Sequence, residues 1–309
     1  MITTITLNAA IDKTYYLPAF EPGGIFRTDN VYACPGGKGL NVARVVRQLG
    51  CPVLASGFVG GSNGEFICRE LDRQGIPHDF VRTDGESRLC LNIIDSASGI
   101  STEILEPGPV VTADQMEAMK RKVRELAAKS QIVAFSGSLP KGAPVHLYAE
   151  LITLARREGA VVFLDASGDA LLEGIRAVPD FIKPNETEVE KIIGRRLERE
   201  SQLYDSVRQL MSGGIACVAV TLGASGSLVG MRDELYRVHA PKLEAVNTVG
   251  CGDAFVAGMA VAMARGEAPG EALRLATAAG SANALTERAG QIRIEDVDRF
   301  LGQIRIEKI

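Results

Sequence analysis

From about residue 130 onward, short unbroken apolar runs alternate with longer stretches of helical period. "QIVAFSG" is followed by "PVHLYAELITLARREG", then by "AVVFLDASG", "DFIKPN", a helix through Glu188, and "IACVAVTLG". Runs rich in Val, Ile and Phe without polar alternation suit strands covered on both faces, and the intervening helices suit parallel crossovers. The pattern predicts a doubly wound α/β core with a mostly parallel sheet flanked by helices. Its sites are expected where strands end and loops begin.

The first hundred residues differ. In "SRLCLNIID", Leu89, Leu91 and Ile93 alternate with Arg88, Cys90 and Asn92, the period-2 signature of a half-buried antiparallel strand. "SASG" joins it to "STEILE", and with "TDNVYACPGG" these segments predict a small projecting sheet. Such an appendage, inserted at about 10–35 and 86–107, is too small to fold alone. It reads as a lid or an oligomer contact, the alternative being a plain sheet extension. Without repeats or a Pro/Ser-rich linker, residues 1–309 read as one domain carrying this insert.

Composition narrows the function. A net charge of −4 supplies no general attraction to nucleic acid or anionic membrane, so any bound phosphate must be met by specific groups. Six cysteines without a C-x-x-C pair and three scattered histidines argue against a zinc site or redox pair. The N-terminus lacks a signal-peptide pattern, and the longest apolar run, "AFVAGMAVAMA", is about half the ~20 residues of a membrane crossing. A cytoplasmic location is expected.

Two glycine-rich turns carry candidate chemistry. In "NTVGCGDAFVAGM", glycines precede a helix whose first N–H groups lack internal partners, and the helix dipole adds to this anion hole. Asp253 in its first turn is either a capping residue or a base that deprotonates a hydroxyl attacking a bound phosphate. In "CPGGKGLNVARVVRQLG", Lys38 and Asn41 stand at the mouth of an amphipathic helix, suited to a polyol or sugar phosphate, or else to an ordinary turn with a solvated lysine. No Walker A loop and no G-x-G-x-x-G in the first βα turn are present. "GGSNGEF" reads as a turn into the helix "GEFICRELDRQG".

Together the two turns resemble the signatures of the ribokinase-like sugar kinases of the phosphofructokinase B family. "LNAAID", "SGSLPKG", "KPNETE" and "TLGASG" follow the family's order, so the resemblance spans nearly the whole chain. It implies a ribokinase-like fold, ATP and Mg²⁺ as cofactors, and phosphoryl transfer to a primary sugar hydroxyl. Asp253 would be the base, and the backbone N–H groups of Gly250, Cys251 and Gly252 would hold the moving phosphoryl. Cys251 stands where the family usually has Ala or Ser, which suggests a thiol open to oxidation or alkylation. Asp12, otherwise a turn residue, would bind sugar hydroxyls with Gly36, Gly37, Lys38, Asn41 and Ser136. Asn185, otherwise a helix N-cap, and Glu188 would order Mg²⁺ through water. Lys183, Asn185, Thr221, Gly223, Gly226, Thr277 and Ser281 would surround the nucleotide.

Arg27 and Arg88 sit in the lid-forming segments, where with Lys38 they could clamp a phosphate already on the substrate or simply be solvated. "SRLCLNI", "TEILEPGP" and "ASGFVGG" resemble the branch of tagatose-6-phosphate kinase and 1-phosphofructokinase. The expected acceptor is therefore tagatose 6-phosphate, fructose 6-phosphate or fructose 1-phosphate, with a slight lean to the first. Rival readings are a kinase of an unphosphorylated sugar or nucleoside and a non-catalytic sugar-phosphate sensor. A homodimer through the lid is expected.

Overall fold

The structure, a computed structural model, describes residues 1–309. In chain order its strands are β1 (Ile2–Thr6), β2 (Ala10–Leu17), β3 (Val31–Gly36), β4 (Val53–Gly60), β5 (Val81–Thr83), β6 (Arg88–Asp95), β7 (Ser101–Leu105), β8 (Ile132–Ser136), β9 (Val161–Asp165), β10 (Phe181–Ile182), β11 (Cys217–Thr221), β12 (Ser227–Met231), β13 (Glu234–His239) and β14 (Arg305–Lys308). The helices are α1 (Lys38–Gln48), α2 (Gly61–Arg73), α3 (Ala113–Ala127), α4 (Leu147–Arg157), α5 (Gly168–Ile175), α6 (Glu186–Ile193), α7 (Glu200–Ser212), α8 (Cys251–Ala264), α9 (Pro269–Ala284) and α10 (Ile294–Leu301).

A large sheet runs in the order β14-β13-β12-β11-β10-β9-β8-β1-β4-β5. From β11 to β5 every pairing is parallel, and β12, β13 and β14 extend it antiparallel. Because β1 pairs with both β4 and β8, the order reverses there, and the loops after β1, β8 and β9 open at one end of the sheet. One face is packed by α1, α2, α8, α9 and α10, the other by α3 to α7, and each face has its own apolar cluster. No helix is long and apolar enough to cross a membrane.

A second sheet, β3-β2-β6-β7, forms the projecting element. Here the local pattern misleads about β6, which is parallel to β2 and antiparallel only to β7. All eight of its residues are half-buried, without the alternation the sequence suggests. The reason is its inner position, flanked by two strands and partly covered on both faces. "GGSNGEF" is likewise not a turn, since α2 begins at Gly61. The Ser62 and Asn63 N–H groups donate to the Glu86 carboxylate at 2.9 Å each, an interaction from distant sequence that replaces a local cap.

Candidate active site

Helix α8 is where the site is built. Gly250 takes the left-handed conformation (φ 85°), which turns the chain directly into the helix. The first bond back into the cap runs from Ala254 N–H to Gly250 C=O at 2.8 Å, while Cys251 N–H turns to Thr248 C=O at 3.3 Å. The N–H groups of Gly250, Gly252 and Asp253 meet no protein acceptor, so they make the open anion-binding mouth. The donors therefore differ by one from those the sequence suggested, with Asp253 N–H free and that of Cys251 engaged.

Ten consecutive residues, Asp253 to Ala262, are buried, so this mouth is held by packing along the whole helix. Asp253 itself is only 6% exposed. Its Oδ2 accepts from Asn41 Nδ2 at 2.8 Å, joining α8 to α1. Burial raises its pKa, the nearby Asp165 carboxylate adds to this, and Lys38, Asn41 and Lys183 pull it back, leaving it at about 6. A carboxylate with that pKa can exchange a proton near neutrality.

Asp165, at the end of β9, lies outside the motifs that mark the site in sequence. Lys38 Nζ lies 3.1 Å from its Oδ1 and Lys183 Nζ 3.5 Å from the same oxygen. Burial would keep Asp165 protonated, but Lys183 and Lys38 outweigh it and hold its pKa below the ordinary value. Asp165 in turn raises that of Lys38. A Cβ placed on Gly252 would sit 3.0 Å from Lys183 Nζ, so this ammonium faces the helix mouth. Two cations and three free N–H groups thus converge beside Asp253. A signal for Asp165 was present in "AVVFLDASG", a carboxylate at the carboxyl end of a parallel strand.

Two cavities meet at this mouth. The larger, about 710 Å³, lies between the small sheet and the core and is lined by Asp12, Lys38, Asn41, Arg88, Lys183 and Asp253 among others. The smaller, about 470 Å³, is lined by Thr221, Gly223, Gly226, Cys251, Thr277 and Ser281 among others. Gly252 borders both. In the larger, Asp12 lies on β2. Burial raises its pKa while Arg44 and Arg88 oppose the rise. A Cβ on Gly36 would fall 2.1 Å from Asp12 Oδ1, so glycine at that position makes room for the carboxylate.

Several expected site residues lie elsewhere. Ser136 is wholly buried in β8 with an unpartnered hydroxyl, and the following Gly137 and Ser138 line the cavity in its place. Arg27 is exposed in the loop between β2 and β3 and is absent from the cavity wall. Lys38 does line the larger cavity, bound to Asp165 near the helix mouth, whereas Lys183 lines that cavity and not the smaller. Arg88 does line the larger cavity, donating to the C=O groups of Asn8 and Glu106 at 3.2 Å each. Across that cavity lies Arg288, which no sequence motif marks; it stacks 3.7 Å from the Tyr32 ring centroid and ties the loop after α9 to β3.

Asn185 and Glu188 form a reciprocal capping box on α6, each side chain bonded to the other's backbone N–H at 2.9 Å. The bridge from Asn185 to Thr221 sets this turn beside the smaller cavity. No cluster of three or more His, Cys, Asp or Glu side chains suited to a metal occurs. One partly engaged carboxylate and one amide suit Mg²⁺, which keeps most of its water and takes oxygens from phosphates. The Cys251 thiol borders the smaller cavity, accepts from Asn283 Nδ2 at 3.5 Å, and has its pKa raised by burial. Burial thus opposes ionisation of the thiol, while its place at the first residue of α8, where the helix dipole favours an anion, acts in the other direction.

The family model described as pfkB family carbohydrate kinase matches residues 5–295. A candidate phosphofructokinase from Staphylococcus aureus superposes with TM-score 0.87 at 30% identity, over 100% of this chain and 99% of that one. Phosphofructokinase-2 from Escherichia coli, in a potassium complex, gives TM-score 0.92 at 27% identity over 98% of each chain. A candidate 1-phosphofructokinase from Thermotoga maritima gives 0.88 at 28% identity, over 100% of this chain and 99% of that one. The fold is ribokinase-like.

Proposed function

Because this chain belongs to the pfkB family of carbohydrate kinases, we propose that it transfers the γ-phosphoryl group of ATP to a primary hydroxyl of a ketohexose phosphate, with Asp253 as general base. The observation that carries this reading is the helix mouth shared by two cavities, with Gly252 on both walls and Asp253 on one. ATP occupies the smaller cavity, against Thr221, Gly223, Gly226, Thr277 and Ser281, and its γ-phosphate reaches the free N–H groups at the mouth of α8. The sugar occupies the larger cavity, its hydroxyls accepted by Asp12. Lys38 and Lys183, tethered by Asp165, offset charge on the moving phosphoryl, and Asp253 takes the proton of the attacking hydroxyl. Asn185 and Glu188 would hold Mg²⁺ through water, and its charge would neutralise that of the nucleotide phosphates.

Arg88 lines the larger cavity, where a guanidinium suits a phosphate already on the substrate, and this favours a sugar phosphate over a free sugar. The relatives named above are phosphofructokinase types, which supports the same class. Among the three ketohexose phosphates, tagatose 6-phosphate remains the first choice, on "TEILEPGP". The small sheet acts as lid of a single domain and as the dimer contact, with Ile104 52% and Leu105 61% exposed on its outer strand. Arg27 would join the site through movement of its loop or from a second protomer. A coupled ADP-release assay over free sugars, nucleosides and the three sugar phosphates tests the reading. Turnover with none of them would overturn it, and turnover confined to a free sugar or nucleoside would overturn the acceptor.

A further inference from the structure

We propose that Arg44 is a positioning residue that fixes the amide of Asn41 so that its Nδ2, and not its oxygen, faces the Asp253 carboxylate. Arg44 lies one turn after Asn41 on α1, and its Nη1 donates to Asn41 Oδ1 at 3.1 Å. The same nitrogen donates to Ala289 C=O at 2.8 Å, Nη2 to Pro35 C=O at 2.6 Å, and Nε to Gln74 Oε1 at 3.1 Å. The guanidinium therefore bonds four segments, namely α1, the end of β3, the end of α2 and the loop after α9. It cannot turn away without breaking several bonds at once.

The two ends of an asparagine amide have the same shape and opposite hydrogen-bonding character. A guanidinium offers only donors, so only the oxygen end of the amide can accept from it. With the oxygen committed to Arg44, the NH₂ group must point at Asp253, where it donates at 2.8 Å. Without Arg44, the amide can rotate and set its oxygen against the carboxylate. That arrangement repels the ionised form and removes its one side-chain donor.

The other charges around Asp253 are Asp165 on β9, Lys38 on α1 and Lys183 after β10. Those around Arg44 are Asp12, Cys34 and Tyr32, each of whose ionised forms it favours. A rate profile alone would mix Asp12 with Asp253, so the test reads Asp253 directly. It requires the full chain labelled with ¹³C at the aspartate carboxyl carbons, with the Asp253 signal assigned by its loss in Asp253→Asn.

Arg44→Met is expected to raise the Asp253 midpoint by about one pH unit, as Asn41→Leu does, because each removes one charge-assisted hydrogen bond. The double variant is expected to shift it no further, since both changes break the same link. Arg44→Lys, with a donor-only head, is expected to stay near the parent, and it carries the test should Arg44→Met fail to fold. An unmoved midpoint in Arg44→Met, additive shifts in the double variant, or the full Asn41→Leu shift in Arg44→Lys would overturn the proposal. Its consequence for turnover rests on Asp253 being the base. If Asp253→Asn kept its turnover, that role would fail while the titration result stood.

Discussion

Lys38 Nζ and Asp165 Oδ1 stand 3.1 Å apart although 127 residues separate them in sequence. The contact joins the first turn of α1 to the end of β9, and Lys183 reaches the same oxygen from the loop after β10. One carboxylate thereby sets the position of two cations beside the mouth of α8. Asp165 Oδ2 is buried with no hydrogen-bond partner, so the pairing rests on one oxygen and on the two positive charges.

Replacing that carboxylate should be costly. Asp165→Asn leaves Lys183, whose side chain is 8% exposed, without its counter-charge. The expected loss is about 3–5 kcal/mol, the range for breaking a buried pair, read from urea unfolding at pH 7. Because the folded pKa of Asp165 is depressed, its contribution is present above about pH 4 and disappears as pH falls through the folded value. The gap between parent and variant should close in acid. An Asn variant as stable as the parent at pH 7 would count against the tether.

Asp253 has the opposite sign. Its folded pKa of about 6 lies above the ordinary 3.8, so ionising it opposes folding. Asp253→Asn should be more stable than the parent at pH 8, with the advantage fading as pH falls through 6 and gone below about 4. Turnover should drop by about 10²–10⁴ while ATP binding persists. In the parent, the acid limb of kcat/KM should fall near pH 6, where the base of the free enzyme takes up its proton. Full activity in the variant would end the base assignment.

Arg88→Ala should raise KM for the sugar phosphate at least about ten-fold and leave KM for ATP nearly unchanged, since the arginine lines only the larger cavity. Steady-state kinetics with each substrate varied in turn will show it. A KM unaffected by the change would favour an acceptor without a phosphate.

Cys251→Ser should keep turnover within about two-fold, because burial holds the thiol protonated and only weakly nucleophilic. Inactivation by N-ethylmaleimide at pH 7.5 should be slow and little altered in the variant. Rapid inactivation that the serine variant escapes would restore the redox reading.

Much of the architecture was legible locally. Unbroken apolar strands such as "QIVAFSG" and the helices between them need no distant partner to be read, since periodicity is a property of neighbouring residues. The glycine turn before Asp253 and its aspartate were visible for the same reason. β6 was readable as a strand, but not its parallel partner or the loss of alternation, because both depend on which strands flank it. The start of α2 was misplaced because its cap, Glu86, comes from elsewhere in the chain.

The site divides along the same line. The sequence by itself determined the chemical inventory, with a carboxylate at a helix mouth, glycines that free backbone N–H groups, and lysine and asparagine at a second helix mouth. Only the tertiary structure decided which of these face one another. It placed Asn41 on Asp253, Lys38 and Lys183 on Asp165, and Arg44 behind Asn41. It also buried Ser136 and left Arg27 outside the cavity. The physical reason is that a backbone turn is set by the residues within it, whereas a side chain's charge, pKa and orientation are set by groups that meet it only after the sheet and helices have packed.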